Sequence, residues 1–342
     1  MRKLRVLVLM HEHLVPPASI KGLSEAEVHP FRMEWDVLTA LRGLGHEVHE
    51  LGVADELVPI RSAIEAHRPH VCMNLLTHFF DVGAYHAHVV SYLELLKAPY
   101  TGCNPRGLVL AGDKALSKKV LLYHRIPVPK FAVFRLGRKV RNAARMVFPL
   151  FVKSVSEEAS TGISQASIVR DLPALAERVE FVHRKIGTDA IAEEYIEGRE
   201  LNVGLFGNER LTALPPSELT FDKLPDGSEP ILTSRAKWDL AYQQRIGLAS
   251  RPAVDLDSAQ RSEIERMAKR LYRVLGLSGY ARIDLRLTPE GKVYVLEANP
   301  NPDLCEHEDF AASAAEIGIA YPALIQRILD LGIRYRAAWK VK

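Results

Sequence analysis

The chain is short of the features that would place it quickly. Only three of its 342 residues are cysteines, Cys72, Cys103 and Cys305. They are far apart and odd in number, which excludes a disulfide framework and metal-type spacing and makes a reducing cytosol the expected setting. No apolar run reaches the roughly 20 residues of a membrane span. Net charge is only +3 with both signs interspersed, and there is no long Lys/Arg run, which argues against a dedicated nucleic-acid binder. There is no internal repeat and no low-complexity segment. No Gly-x-Gly-x-x-Gly follows the first apolar stretch, so a nicotinamide oxidoreductase lacks its fingerprint. The start, Met1 to Met10, faintly looks like a signal peptide. Arg5 interrupts its short apolar run, however, and His11-Glu12-His13 stands where small residues are needed for cleavage. A first buried strand accounts for it better.

What is present is apolar material for real cores, 47% of residues, over a length that suits two or three domains. Leu4 to Met10 predicts a buried strand. Trp35, Leu38, Leu41 and Leu44 fall at helical spacing, and Gly45 closes that helix. Strands over Glu47–Leu51 and Val71–Leu76 alternate with helices over Val58–His67 and about Gly83–Leu96. This alternation predicts a parallel sheet with helices on both faces. Ligands gather at the carboxyl ends of such strands, so the loops His11 to Pro30 and Thr77 to Gly83 are expected to face one. Both carry histidines, as does Tyr85-His86-Ala87-His88. Their spacings are not diagnostic of a metal site, and loop and helix-surface roles are expected.

The most informative stretch runs from Gly279 to Asp303. Ala281, Ile283, Leu285 and Leu287 alternate with Tyr280, Arg282, Asp284 and Arg286, the period of a strand. Pro289-Glu290-Gly291 supplies a turn, and Val293 to Leu296 a return strand. If Thr288 pairs with Val293, then Arg286 faces Val295, Asp284 faces Glu297 and Arg282 faces Asn299. Directly opposed side chains lie about 5 Å apart at Cβ. Two opposed carboxylates are destabilising unless a cation lies between them, and Mg²⁺ takes one or two carboxylates plus substrate phosphates. Arg282 beside them is placed to hold a developing oxyanion. An ordinary surface hairpin with scattered charges is the alternative, and Asn299-Pro-Asn-Pro weighs against it.

Upstream, Asp113 reads as the N-cap of a helix carrying Lys114. Phe148 to Lys153 is an apolar strand ending in a lysine, followed by a small-residue loop, Ser154 to Gly162, whose amides can approach a phosphate. A snorkelling surface lysine is the plainer reading of Lys153 alone. Ile191-Ala-Glu193-Glu-Tyr195-Ile196-Glu-Gly-Arg-Glu200 carries acids that usually mark a solvated face. A linker between two lobes that clasps an adenosine is the sharper alternative.

In this order, Lys114, Lys153, Glu193 to Glu200, Lys237, Arg282-Ile-Asp284 and Glu297-Ala-Asn299, the residues resemble the ATP-grasp ligases, and among them the D-alanine–D-alanine ligase group. The likeness spans nearly the whole chain, from Ala98-Pro-Tyr-Thr-Gly102 to a closing helix running from Phe310 through Gly318 to Leu329. It implies an N-terminal α/β domain (1–112) with a parallel sheet, then a two-lobed α+β ATP-grasp module (113–198 and 199–342). It implies that Lys114 and Lys153 contact ATP phosphates, that Glu193 bonds the adenine amino group, that Tyr195 and Ile196 line the hinge, and that Glu200 holds the ribose. Lys237 is expected on a mobile loop over the γ-phosphate, with Arg282 stabilising the tetrahedral intermediate. Asp284, Glu297 and Asn299 are expected to bind Mg²⁺, with Mn²⁺ as a substitute. The implied reaction is ATP-dependent amide formation between small amino-acid or peptide substrates, in the cytoplasm, with no membrane or nucleic-acid partner and with a homodimer formed through the N-terminal domain. A nucleotide-binding module without chemistry is the alternative.

The chain also departs from the family. Glu158-Ala159-Ser160 stands where the family has Gly-Ser-Ser, leaving Ser160 as the catalytic-loop serine. No Gly-Gly pair follows the first strand, and Glu25, Glu27 and Glu34 are candidates for the glutamate that binds the first substrate. Trp238 replaces a tyrosine, and Glu308 stands where a serine is usual. The acids Asp303, Glu306, Glu308 and Asp309 read either as N-terminal charges of the next helix or as a preference for a cationic amine.

Overall fold

A computed structural model describes residues 3–140 and 146–340; Met1 and Arg2 of the signal-like start lie outside them. Strands β1 (Arg5–His11), β2 (Glu47–Val53) and β3 (Val71–Asn74) form a parallel sheet in the order β2-β1-β3. β1 is apolar throughout because both its faces are covered. Leu7 and Leu9 pack on one side, and Val6, Val8 and Met10 on the other. The helices around and after this sheet are α1 (Glu25–Val28), α2 (Arg32–Gly43), α3 (Val58–His67), α4 (His86–Leu95), α5 (Pro105–Gly112) and α6 (Lys114–Tyr123).

A second sheet is antiparallel and builds a lobe of its own. Strands β4 (Phe131–Phe134), β5 (Leu150–Ser154), β6 (Ile168–Val169) and β7 (Ala190–Glu194) run in the order β4-β7-β5-β6. Helix α7 (Leu172–Phe181) covers them, and Phe134, Leu150, Val152, Leu175 and Val179 form a separate core.

The third sheet contains β8 (Arg199–Phe206), β9 (Thr212–Ala213), β10 (Ser217–Phe221), β11 (Leu248–Pro252), β12 (Tyr280–Leu287) and β13 (Val293–Pro300). Its order is β11-β10-β8-β12-β13, with β9 beside β8. Helices α8 (Ser234–Trp238), α9 (Leu240–Ile246) and α10 (Ser258–Val274) are inserted between its strands, and α11 (Asp309–Glu316) and α12 (Tyr321–Arg334) follow. The single closing helix expected from Phe310 to Leu329 is therefore two. Gly318 at φ +77° leaves the right-handed region, and Pro322 suits only the first turn of a new helix. This sheet shares its core with the first: Leu7, Leu9 and Tyr100 belong to one cluster with Leu201, Val203 and Ile283. The joint is tight. A Cβ on Gly279 would lie 2.4 Å from the Gly102 carbonyl oxygen, so neither backbone can retreat for a side chain there.

The β12–β13 register differs from expectation at one end only. Leu287 pairs with Val293 and Arg286 with Tyr294, not Val295, because the Thr288 N–H closes a tighter turn on the Lys292 carbonyl at 2.9 Å. A bulge then absorbs one residue, Leu296. Beyond it the expected pairs return: Asp284 faces Glu297 and Arg282 faces Asn299. Among the described residues no helix is long and apolar enough to cross a membrane.

Candidate active site

The central lobe and the third sheet face each other across a cleft of about 1140 Å³. The residues expected to hold the nucleotide, the metal and the reacting groups line it: Lys114, Lys153, Ser160, Glu193, Tyr195, Ile196, Glu200, Lys237, Arg282, Asp284, Glu297 and Asn299; the candidate glutamates Glu25, Glu27 and Glu34 are not among its lining residues.

Local structure accounts for each position. The Asp113 side chain accepts from the Ala115 and Leu116 N–H groups and starts α6, which places Lys114 at its head. Lys114 Nζ donates to the Glu157 carbonyl at 2.7 Å, tying α6 to the loop after β5. Lys153 ends β5, buried, 3.4 Å from Glu297 and 3.8 Å from Glu193. Ala159 and Ser160 both adopt positive φ, 56° and 58°, and so form the tip of a tight loop over the cleft. Lys237 sits on the short helix α8, half-buried, with Nζ 5.7 Å from the Trp238 ring.

The opposed acids of the hairpin also have cations of the chain beside them. Arg282 donates Nε–H and Nη2–H to the two Asp284 oxygens at 2.7 and 2.9 Å. Asn299 donates Nδ2–H to Asp284 at 2.8 Å. Glu297 lies near Lys114 and Lys153, at 3.8 and 3.4 Å. Burial pushes the Glu297 carboxyl up, but Lys153, Lys114 and Lys118 outweigh it and hold it well below the usual carboxylate range. Burial likewise works against the Lys153 charge, and Glu193 and Glu297 more than offset it. Asp284 is raised by burial despite Arg282.

Sequence reasoning missed three contributors, Lys118, Asn202 and Arg286, and gave Asp309 only as a helix-end charge or a contact for a cationic amine. Lys118, one helical turn after Lys114 and so on the same face, is 1% exposed. Its Nζ donates to the Leu296 carbonyl at 2.7 Å and lies 3.4 Å from Glu193. Leu296 is the bulge residue, so the irregularity in β13 frees a carbonyl that α6 uses. Burial pulls the Lys118 pKa down to about 8, with Glu193 opposing. Asn202 shares a strand face with Glu200 and donates to Asp309 at 3.2 Å; Asp309 also lies 3.8 Å from Arg282. Arg286 is buried, pairs with Glu200 at 3.0 Å and donates to the Gly198 carbonyl at 2.7 Å, bracing the hinge. The four-residue spacing of Lys118 from Lys114 and the two-residue spacings of Asn202 from Glu200 and of Arg286 from Asp284 were signals in the sequence.

The three candidate glutamates separate cleanly. Glu27 is used in a capping box with Ser24, and Glu25 pairs with Arg32 at 2.8 Å. Glu34 is 1% exposed with Oε1 lacking a hydrogen-bond partner. Burial raises its pKa to about 8, and Asp303 adds to the rise.

With this geometry in view, the family model described as D-ala D-ala ligase C-terminus matches residues 121–330. The chain belongs to the D-alanine–D-alanine ligase family. The D-alanine–D-alanine ligase of Bordetella avium is 30% identical over 303 residues, covering 87% of this chain and 88% of that one. An uncharacterized protein of Sinorhizobium fredii, y4sG, is 32% identical over 247 residues, 72% and 70% of the two chains. The fold of the Bacillus anthracis D-alanine–D-alanine ligase complexed with ATP superposes with a TM-score of 0.75 at 22% identity, covering 98% of both chains. The chain is thus an ATP-dependent ligase of D-alanine–D-alanine ligase type, and these relationships do not favour a nucleotide-binding module without chemistry.

Proposed function

We propose that the enzyme activates the carboxylate of one small amino acid with ATP, as an acyl phosphate, and passes the acyl group to the amine of a second. D-Alanine is the leading candidate for both. Lys114 and Lys153 bind the phosphates, and Lys237 closes over the γ-phosphate. Tyr195 and Ile196 cover the adenine, and Glu200 takes the ribose hydroxyls. Glu193, buried in the cleft wall beside Lys118 and Lys153, takes the adenine amino group in this reading. Arg282, aligned by Asp284, holds the oxyanion that develops when the amine attacks, and Ser160 orients the reacting groups from the loop above. Glu34, the glutamate with a spare buried oxygen, is our choice to receive the first substrate's ammonium.

Asp284, Glu297 and the amide oxygen of Asn299 form a hard-oxygen set that fits Mg²⁺, or Mn²⁺ as a substitute. Bound there, the metal supplies charge neutralisation for phosphoryl transfer. The lysines that rest on Glu297 are also the groups that bind phosphate, so an incoming triphosphate draws them away and frees the carboxylate. The division at 112/113 and 198/199, a homodimer and a cytoplasmic setting belong to the same reading.

The observation that carries it is Glu297, opposed to Asp284 across the hairpin, lying beside two buried lysines, Lys114 and Lys153, that line the same cleft. The test is a phosphate-release screen over L- and D-amino acids and dipeptides with mass spectrometry of the products. A dipeptide formed with one ADP per bond is expected. ATP hydrolysis that no amino acid stimulates would contradict it.

A further inference from the structure

The histidines expected in loop and surface roles instead converge. His11 ends β1, and His78 and Asp81 follow β3. One ligand atom from each lies within 4.8 Å of the others. His11 is buried, and its ring stacks on that of His78 at 4.4 Å between centroids. His11 Nε2 is 4.0 Å from Asp81 Oδ1.

Asp81 is held there by its backbone. Phe80 and Asp81 both take positive φ, 59° and 56°, in a two-residue turn closed by Phe79 and Val82 at 3.3 and 3.0 Å. The Phe80 N–H donates to the Ala54 carbonyl at 2.8 Å, pinning the turn beside the end of β2. A left-handed conformation is unfavourable for phenylalanine and persists where the surroundings impose it, as at ligand sites.

The position is also special. In the order β2-β1-β3, the chain leaves β1 toward one side and returns on the other, so the carboxyl ends of β1 and β3 flank the point where strand order reverses. Open parallel sheets bind their ligands there.

We propose that His11, His78 and Asp81 bind a divalent first-row transition metal, Zn²⁺ foremost, at a site separate from the Asp284–Glu297 centre. Two imidazoles and one carboxylate form a donor set that suits such ions. Three protein ligands leave a position for water or an anionic substrate group. Burial and the neighbouring His11 lower the His78 pKa, against the opposing pull of Asp81. His11 Nδ1 accepts the His13 N–H at 3.3 Å. Coordination through Nε2 places the imidazole proton on Nδ1 and gives up that long bond.

The test uses the untagged full-length enzyme, stripped with chelator and free of nucleotide, titrated calorimetrically with Zn²⁺ and spectroscopically with Co²⁺. One equivalent is expected to bind. Affinity should fall at least tenfold in His78→Ala and in Asp81→Asn, and stay unchanged in Glu297→Gln. Asparagine tolerates the left-handed turn, and melting of each metal-free variant checks its fold. Absence of saturable binding overturns the proposal, as does binding that survives both substitutions or disappears in Glu297→Gln.

Discussion

The two ends of the nucleotide cleft are charged on opposite principles. At the deep end Glu193 and Glu297 are each flanked by lysines, Lys118 and Lys153 for one, Lys114 and Lys153 for the other. At the other end acids crowd acids. Asp309 lines the cleft beside Arg282; outside the cleft's lining, Asp303 and Glu34 lie near enough for Asp303 to add to the rise in the Glu34 pKa. The deep end holds cations charged and in place, which suits a polyanion. The acid-rich end suits a group that brings a positive charge. In the proposed reading the deep end takes the triphosphate and the acid-rich end the ammonium.

Substitutions at the two poles should differ in size and kind. Glu297→Gln removes the carboxylate on which the deep end is organised. It should lower kcat by ~10³-fold, the scale of losing a preorganised charge at the reacting centre, with an unchanged circular dichroism spectrum. Lys118→Met strands a buried carboxylate and the bulge carbonyl. Breaking a buried pair costs roughly 3–5 kcal/mol, so its melting temperature should drop clearly and kcat should fall, since Leu296 precedes Glu297.

At the acid-rich pole the expected effect is on pH dependence. Glu34 has a pKa of about 8 in the folded protein against an ordinary 4.5. Between those values the folded chain keeps a proton that the unfolded chain releases, so this group's contribution to stability is full below about pH 4.5 and falls as pH rises toward 8. Glu34→Gln should therefore match wild type near pH 4 and exceed it above neutrality, by an amount approaching roughly 4–5 kcal/mol. Parallel denaturation midpoints across pH would remove that assignment. The smallest effect is expected at Asp303, which is exposed. An exposed pair is worth at most about 1 kcal/mol, so Asp303→Ala should shift the ratio of kcat/KM for cationic over neutral acceptor amines by about fivefold. An unchanged ratio would confine Asp303 to capping and turn formation.

How much of this was legible follows from distance along the chain. The strands of the hairpin could be read from the period-two pattern, but Asp284 faces Glu297 only because the bulge at Leu296 offsets a turn one residue tighter than expected. The bulge could not be read, because its carbonyl is used by Lys118, 178 residues away. The order of the lysines and of Glu193 to Glu200 was enough to bring the candidate nucleotide, metal and reacting-group residues to one cleft. The stretch between β8 and β12, with the long helix α10, carried no motif and was not anticipated beyond Lys237. The meeting of His11 and His78 was not legible, because it comes through the parallel pairing of β1 with β3, which no short spacing reports.

The central claim is that the deep end hands the γ-phosphoryl group of ATP to a carboxylate. Labelling the donor amino acid's carboxylate with ¹⁸O tests this directly. A carboxylate oxygen attacks phosphorus as ADP leaves, and the amine then expels phosphate bearing that oxygen. Phosphate carrying one ¹⁸O per turnover is the predicted result; unlabelled phosphate accompanying dipeptide formation would contradict it.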